Sequence, residues 1–261
     1  METLARFGYV AKGFVYAAIG VLALLAAFTT GGKTTGTNGA LHAIAKQPFG
    51  QILLALIAVG LVGYAIWRLI EAFNDPDNKG TDAKGIFSRL GYALSGLAYL
   101  GVAFNAALLA FGSNSGSSGG SSSKQDWTAT VMQQPFGRWL VGIGGALVIG
   151  IGFYRIYQAY KTKFRKKLNL SELSAKQEKW LVNISRFGIA ARGVVFVMIG
   201  FFVLQAAKNY DPQKVKGLDG ALQTLAQQPY GKILLGLMAL GLIGYAVYLW
   251  LQARYRNFQM N

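Results

Sequence analysis

Six apolar stretches constrain this chain more than any other feature, because each is long enough to cross a bilayer. A helix rises about 1.5 Å per residue and the hydrocarbon core is about 30 Å thick, so one crossing needs roughly 20 apolar residues. The sequence predicts spans at 7–28, 49–70, 90–111, 139–158, 187–207 and 233–252. We therefore expect an all-α integral membrane protein with six transmembrane helices.

A short motif of glutamine, proline, an aromatic residue and glycine stands at the start of every even-numbered span. Its three copies are Gln47-Pro48-Phe49-Gly50, Gln134-Pro135-Phe136-Gly137 and Gln228-Pro229-Tyr230-Gly231. Residues 47–72 and 228–253 are identical at 14 of 26 positions, whereas the second copy has diverged further. The odd-numbered spans also repeat, since each follows an arginine, at Arg6, Arg89 and Arg186. Such internal periodicity predicts three tandem helical hairpins.

Each repeat contains two spans, so all three repeats enter the membrane in the same direction. This relation predicts a pseudo-threefold axis along the membrane normal. The predicted divisions are repeat 1 at 1–75, repeat 2 at 85–161, a basic linker at 162–181 and repeat 3 at 182–257. Segments 39–45 and 220–226 are expected to be interfacial helices, 112–123 a flexible Gly/Ser-rich loop, and 171–180 a short surface helix.

The net charge of +16 is explained by membrane orientation rather than by nucleic-acid binding. With both termini in the cytoplasm, 18 of the 26 Lys and Arg residues fall in inner segments or at the inner ends of spans. This distribution follows the positive-inside rule. The run Lys161, Lys163, Arg165, Lys166 and Lys167 contributes most to it, and it is also a candidate site for anionic lipid.

Candidate functional residues are few, and each has a structural alternative. The motif is explained as a helix start with proline in the first helical turn, although Gln47, Gln134 and Gln228 could instead form a polar ring at the outer face. Lys12 and Arg192 occupy equivalent positions and either anchor the helices or bind an anion or lipid headgroup, with Ser95 breaking the ring in repeat 2. Asn105, inside the third span, favours an interhelical hydrogen bond over a binding role.

The sequence disfavours several classes of chemistry. There is no cysteine and only one histidine, so thiol chemistry and paired-histidine haem ligation are excluded. Every Asp and Glu falls in a loop or at the end of a span, which argues against proton coupling and predicts no buried acid. We expect no enzyme activity, no cofactor and no metal site.

The tripled hairpin and the Gln-Pro-Phe-Gly motif resemble a bacterial membrane family catalogued as domain of unknown function 1206. The resemblance extends over nearly the whole chain, and it implies this fold in a bacterial cytoplasmic membrane but no activity. Two functions are left open. The first is a non-enzymatic structural or accessory subunit that binds a membrane partner or lipids. The alternative is a channel or carrier for a small neutral or anionic solute along the axis.

Overall fold

The computed structural model describes residues 2–29, 34–76, 80–112, 121–170 and 173–256, and within these ranges the chain is almost entirely helical. The helices are α1 (Glu2–Phe28), α2 (Thr37–Ala45), α3 (Gly50–Phe73), α4 (Ala83–Ala110), α5 (Ser121–Met132), α6 (Gly137–Tyr160), α7 (Ala175–Asn209), α8 (Leu218–Ala226) and α9 (Gly231–Tyr255). Six of them, α1, α3, α4, α6, α7 and α9, are long and apolar enough to cross a membrane. The predicted multi-pass membrane fold is confirmed.

The three short helices, α2, α5 and α8, each precede a Gln-Pro motif. Helices α2 and α8 lie where the sequence predicts them, whereas α5 begins inside the segment predicted to be a flexible loop. Residues 113–120 of that loop lie outside the described ranges. Helix α5 is held in place at its end, because its last residue, Met132, is buried against Ala206, Ala207 and Val215.

The pseudo-threefold relation is visible in three equivalent arginine contacts between successive repeats. In each contact a guanidinium donates to a carbonyl oxygen in the last turn of the preceding repeat's even-numbered span, which satisfies a group that the helix itself leaves unpaired. These bonds are Arg6 to Ala253 at 2.5 Å, Arg89 to Ala72 at 2.7 Å, and Arg186 to Ala159 at 3.2 Å. We call the end of the bundle that carries these arginines the basic end, and the other the motif end.

Glycines hold the repeats together at equivalent places. A Cβ atom added at Gly13, Gly96 or Gly193 would lie within 2.3–3.1 Å of an atom on the neighbouring repeat, so the helices approach closely at all three interfaces. The three pairs are Gly13 with Trp250, Gly96 with Leu69, and Gly193 with Ile156.

Repeat 2 departs from this symmetry inside its own hairpin. Helices α1 and α3 pack together, as do α7 and α9, but the equivalent helices α4 and α6 form no such interface over their described residues. The six spans therefore form an open ring, with the gap between the two helices of repeat 2. We call this gap the repeat-2 opening.

Helix α7 begins before the membrane and continues into it without a break. Ser174 starts the helix with a capping box to Gln177, and no helix-breaking residue follows before the span. The separate surface helix predicted over 171–180 is therefore wrong: residues 175–180 are the first turns of α7, and 171–172 lie outside the described ranges. The preceding linker contacts the end of α9, where Asn169 donates to the Tyr255 carbonyl at 2.8 Å.

Candidate functional site

The Gln-Pro-aromatic-Gly motif forms the same turn three times between a short helix and a spanning helix. In each copy the glycine N–H donates to the glutamine carbonyl at 2.8–2.9 Å. The aromatic residue at the third position is left-handed, with φ of 59–63°, as expected in a type II turn. The proline therefore precedes the helix and does not sit in its first turn, which corrects the sequence-based account of the motif.

The glycine of each turn is required by the close approach of the preceding short helix. A Cβ atom at Gly50, Gly137 or Gly231 would lie 2.1, 1.7 or 2.1 Å from a carbonyl oxygen of that helix. The glutamines Gln47, Gln134 and Gln228 are exposed, and no hydrogen bond joins any two of them in the described chain. The structure thus gives the motif a structural role and does not bring the glutamines into contact.

Asn105 contacts the short helix α2 rather than an open passage. Its side-chain amide donates to the Asn38 side chain at 3.1 Å. Buried apolar residues from five spanning helices pack together in the half of the centre nearest the motif end; they include Ile19, Leu54, Ala106, Val195 and Leu242. This half of the centre is apolar and well filled.

The half of the centre nearer the basic end is different, and Lys12 is its most unusual residue. The Lys12 side chain is only 2% exposed, and its ammonium group donates to the Tyr64 hydroxyl at 2.7 Å. The same group lies 4.1 Å and 4.3 Å from the ring centroids of Tyr64 and Tyr99, which is cation–π distance. No carboxylate pairs with Lys12 among the described residues.

Arg192 repeats this arrangement in repeat 3. It donates from Nη1 to the Tyr245 hydroxyl, and its guanidinium lies 4.5–5.2 Å from the ring centroids of Tyr16, Phe196 and Tyr245. Its Nε atom is buried and has no hydrogen-bond partner in the described chain. Arg192 is thus a second cation that no carboxylate of the described residues pairs with.

Four tyrosines connect the two cations. The Tyr64 and Tyr99 ring centroids are 4.9 Å apart, the Tyr99 and Tyr16 hydroxyls are 3.5 Å apart, and the Tyr16 and Tyr245 ring centroids are 4.9 Å apart. We call this group the aromatic–cationic layer; its members are Lys12, Tyr16, Tyr64, Tyr99, Arg192 and Tyr245. Lys12 and Arg192 each lie against two of these tyrosine rings, so both cations belong to one tyrosine cluster.

Among the described residues, the one buried carboxylate belongs to a separate ion cluster beside the layer. Glu71 is 1% exposed and accepts from Arg68 at 2.8 Å and from Arg256 at 2.5 Å. The sequence-based expectation of no buried acid is therefore wrong. Glu71 does lie at the end of a span, as predicted, but Arg256, just after α9, covers it. Arg68 also donates to Tyr64 at 2.7 Å, which connects this cluster to the layer.

Repeat 2 lacks the cation–tyrosine pair, because Ser95 and Ile151 replace the lysine or arginine and the tyrosine. The packing residues change as well. A Cβ atom at Gly60 would lie 2.4 Å from that of Ala11, and one at Gly241 would lie 2.2 Å from that of Ala191.

The equivalent residues of repeat 2 are Leu94 and Leu147, which are 60% and 45% exposed. Two leucines cannot occupy the space of an alanine and a glycine, so α4 and α6 are held apart. The neighbouring glycines of the two helices, Gly91 of α4 and Gly150 of α6, are also out of contact: a Cβ atom at either would meet nothing within 4 Å. The repeat-2 opening is thus explained by two leucines that are visible in the sequence, although it was not among the sequence-based predictions.

The basic run lies outside the layer and lines a surface cavity. Lys161, Lys163 and Arg165 border a cavity of about 720 Å³ together with Leu168 and Leu170. Arg165 forms an ion pair with Glu178. The side chains of Lys166 and Lys167 lie outside the described part of the structure.

Comparison with known proteins supports the three-repeat organisation. The family described as Domain of Unknown Function (DUF1206) matches residues 7–75, 90–162 and 187–256, one segment for each repeat. The uncharacterized protein YxxB of Bacillus subtilis (strain 168) is 35% identical over 257 residues, which are 98% of this chain and 92% of that protein. No solved structure matches the chain.

Proposed function

The chain belongs to the family of the Domain of Unknown Function DUF1206, and on that premise we propose that it is a non-enzymatic accessory protein of the bacterial cytoplasmic membrane that binds a membrane lipid in the repeat-2 opening. The observation that carries this proposal is the contrast between the hairpins. Repeats 1 and 3 are closed by close helix contacts, whereas α4 and α6 are separated at the same positions.

The surface of the opening fits a lipid. Its walls include Gly91 and Gly150, at which an added Cβ atom would meet nothing, and the exposed Leu94 and Leu147. They therefore offer apolar surface to an acyl chain. The opening reaches the level of the aromatic–cationic layer, because Ile151, the repeat-2 equivalent of Tyr64 and Tyr245, is 36% exposed, and Tyr99 of α4 contacts Lys12. A lipid has both the apolar and the polar chemistry that these two neighbouring surfaces require.

Transport along the axis is the less favoured function. A channel or carrier needs a polar passage, and the half of the centre nearest the motif end is filled with apolar side chains such as Ile19, Leu54 and Leu242. Asn105, the polar residue inside α4 that such a passage would use, is bonded to Asn38.

The test is to close the opening and count bound lipids. The double variant Leu94→Ala/Leu147→Gly gives repeat 2 the alanine and glycine of the closed repeats. The matched control, Leu56→Ala/Leu237→Gly, makes the same changes at leucines of α3 and α9 that are 52% and 51% exposed. Native mass spectrometry of the purified full chain should show retained lipid in the wild type and control and far less in the closing variant. Equal retention in all three proteins would reject the proposal.

A further inference from the structure

We infer that the lipid bound in the repeat-2 opening has an anionic headgroup of the phosphate class, and that Lys12 and Arg192 bind its oxygens. This inference rests on the proposed function, because the opening is the route by which a headgroup reaches these residues. It adds the chemical class of the ligand and the side chains that recognise it.

The two cations have hydrogen-bond donors that the described protein does not use. A lysine ammonium has three donors and an arginine guanidinium five. Lys12 gives one hydrogen bond, to Tyr64, and otherwise faces aromatic rings. Arg192 bonds Tyr245, and its buried Nε has no partner. Donors therefore remain on both side chains for an additional acceptor.

The second observation is the charge balance. Burying a cation away from water is unfavourable unless an anion or hydrogen bonds compensate for the lost solvation. Glu71, the buried carboxylate nearby, is already engaged by Arg68 and Arg256. A bound anion supplies the negative charge that the protein itself does not provide here.

The third observation is the asymmetry of the layer. Repeats 1 and 3 each contribute a cation and a tyrosine to the layer, whereas the equivalent residues of repeat 2 are Ser95, which is half-buried, and Ile151, which is 36% exposed. A headgroup in the opening thus meets no charge at these positions of repeat 2, and the cations available to it are those of repeats 1 and 3. A phosphate group fits this geometry because its several oxygens can accept from a lysine and an arginine at once.

The experiment measures how headgroup charge affects binding. Full-length protein in phosphatidylcholine nanodiscs is titrated with phosphatidylglycerol and, separately, with inorganic phosphate, with thermal unfolding and native mass spectrometry as readouts. The variants are Lys12→Met and Arg192→Met. The control is Lys161→Gln/Lys163→Gln, which removes charge from the surface run and so measures non-specific attraction of anionic lipid.

We expect wild type and control to prefer phosphatidylglycerol over phosphatidylcholine by about tenfold or more, and each Met variant to lose most of that preference. We also expect Lys12→Met to melt at a higher temperature than the wild type without lipid, because it removes a charge that is buried and has no carboxylate beside it in the described chain. Arg192→Lys keeps a charge and should retain part of the preference, so it serves if a Met variant does not fold.

The failure of this inference differs from the failure of the proposed function. Lipid that binds in the opening without charge preference, or with a preference that survives both Met variants, overturns the anionic headgroup and leaves the lipid-binding proposal intact. Stabilisation by inorganic phosphate that equals that by phosphatidylglycerol, and that is lost in the Met variants, supports the anion site but rejects a lipid as its source.

Discussion

The ammonium group of Lys12 donates a hydrogen bond to the hydroxyl of Tyr64 at 2.7 Å, across the two helices of repeat 1. The same hydroxyl accepts a second bond from Arg68. The corresponding pair in repeat 3 is Arg192 and Tyr245. The layer at the centre of the protein is therefore built from two cation–tyrosine pairs, and the missing third pair coincides with the open hairpin.

Removal of the Tyr64 hydroxyl should destabilise the protein. Tyr64→Phe removes one hydrogen-bond acceptor from Lys12 and one from Arg68, and a lost acceptor of this kind costs about 1–3 kcal/mol. The change should appear as a lower free energy of unfolding in reversible denaturation from detergent. Tyr154→Phe, at a residue that is 52% exposed, is the control and should have almost no effect. An equal loss in both variants would contradict the role of the hydroxyl.

Substitution by alanine should have opposite effects on stability at a glycine of the motif and at an exposed glycine of α4. Gly137→Ala places a Cβ atom 1.7 Å from the Val131 carbonyl oxygen and should strongly destabilise or prevent folding. Gly101→Ala, in α4, meets nothing within 4 Å and should raise helix stability by about 0.5–1 kcal/mol. Thermal unfolding of the two variants distinguishes them. Similar effects at both positions are not compatible with the turn geometry.

Loss of the Glu71 carboxylate should lower the free energy of unfolding far more than loss of the Glu178 carboxylate, which pairs with the exposed Arg165. Glu71→Gln leaves Arg68 and Arg256 without their carboxylate, and breaking a buried ion pair in this way costs about 3–5 kcal/mol. Glu178→Gln breaks the exposed pair with Arg165, for which about 0–1 kcal/mol is expected. Both variants are compared by equilibrium unfolding. A loss at Glu178 as large as that at Glu71 would show that burial does not set the difference.

The repeat-2 opening should be detectable by cysteine pairing, because the chain has no native cysteine. A Cβ atom at Gly244 would lie 3.5 Å from the Gly188 backbone in closed repeat 3, whereas the equivalent Gly150 and Gly91 are not in contact. Gly91→Cys/Gly150→Cys should therefore form little disulfide in the wild-type background and much more in Leu94→Ala/Leu147→Gly. Rapid crosslinking in both backgrounds argues against the opening.

The spans and repeats were predictable because they rest on local properties of the sequence. Long apolar stretches set the number of crossings, and the repeated arginines and Gln-Pro motifs set their equivalence. The burial of Glu71 was not predictable from its place at the end of a span, because it depends on Arg256, 185 residues away. Helix α5 was obscured by a serine-rich start, although its position before the second motif matches α2 and α8.

The repeat-2 opening illustrates a signal that was present in the sequence but was not recognised. Leu94 and Leu147 align with the alanine and glycine that allow the other hairpins to close, and this difference needed only a comparison of the three repeats. The contacts of Lys12 and Arg192 could not be predicted by such a comparison. Their pairing was proposed from position, but the absence of a carboxylate partner depends on packing that no local pattern describes.

The most direct test of this account is a cryo-EM map of the full chain in nanodiscs that contain phosphatidylglycerol. We expect elongated density between α4 and α6, with its polar end within hydrogen-bond distance of Lys12 and Arg192. A map in which α4 and α6 pack together as α1 and α3 do, with no density beside the two cations, would contradict it.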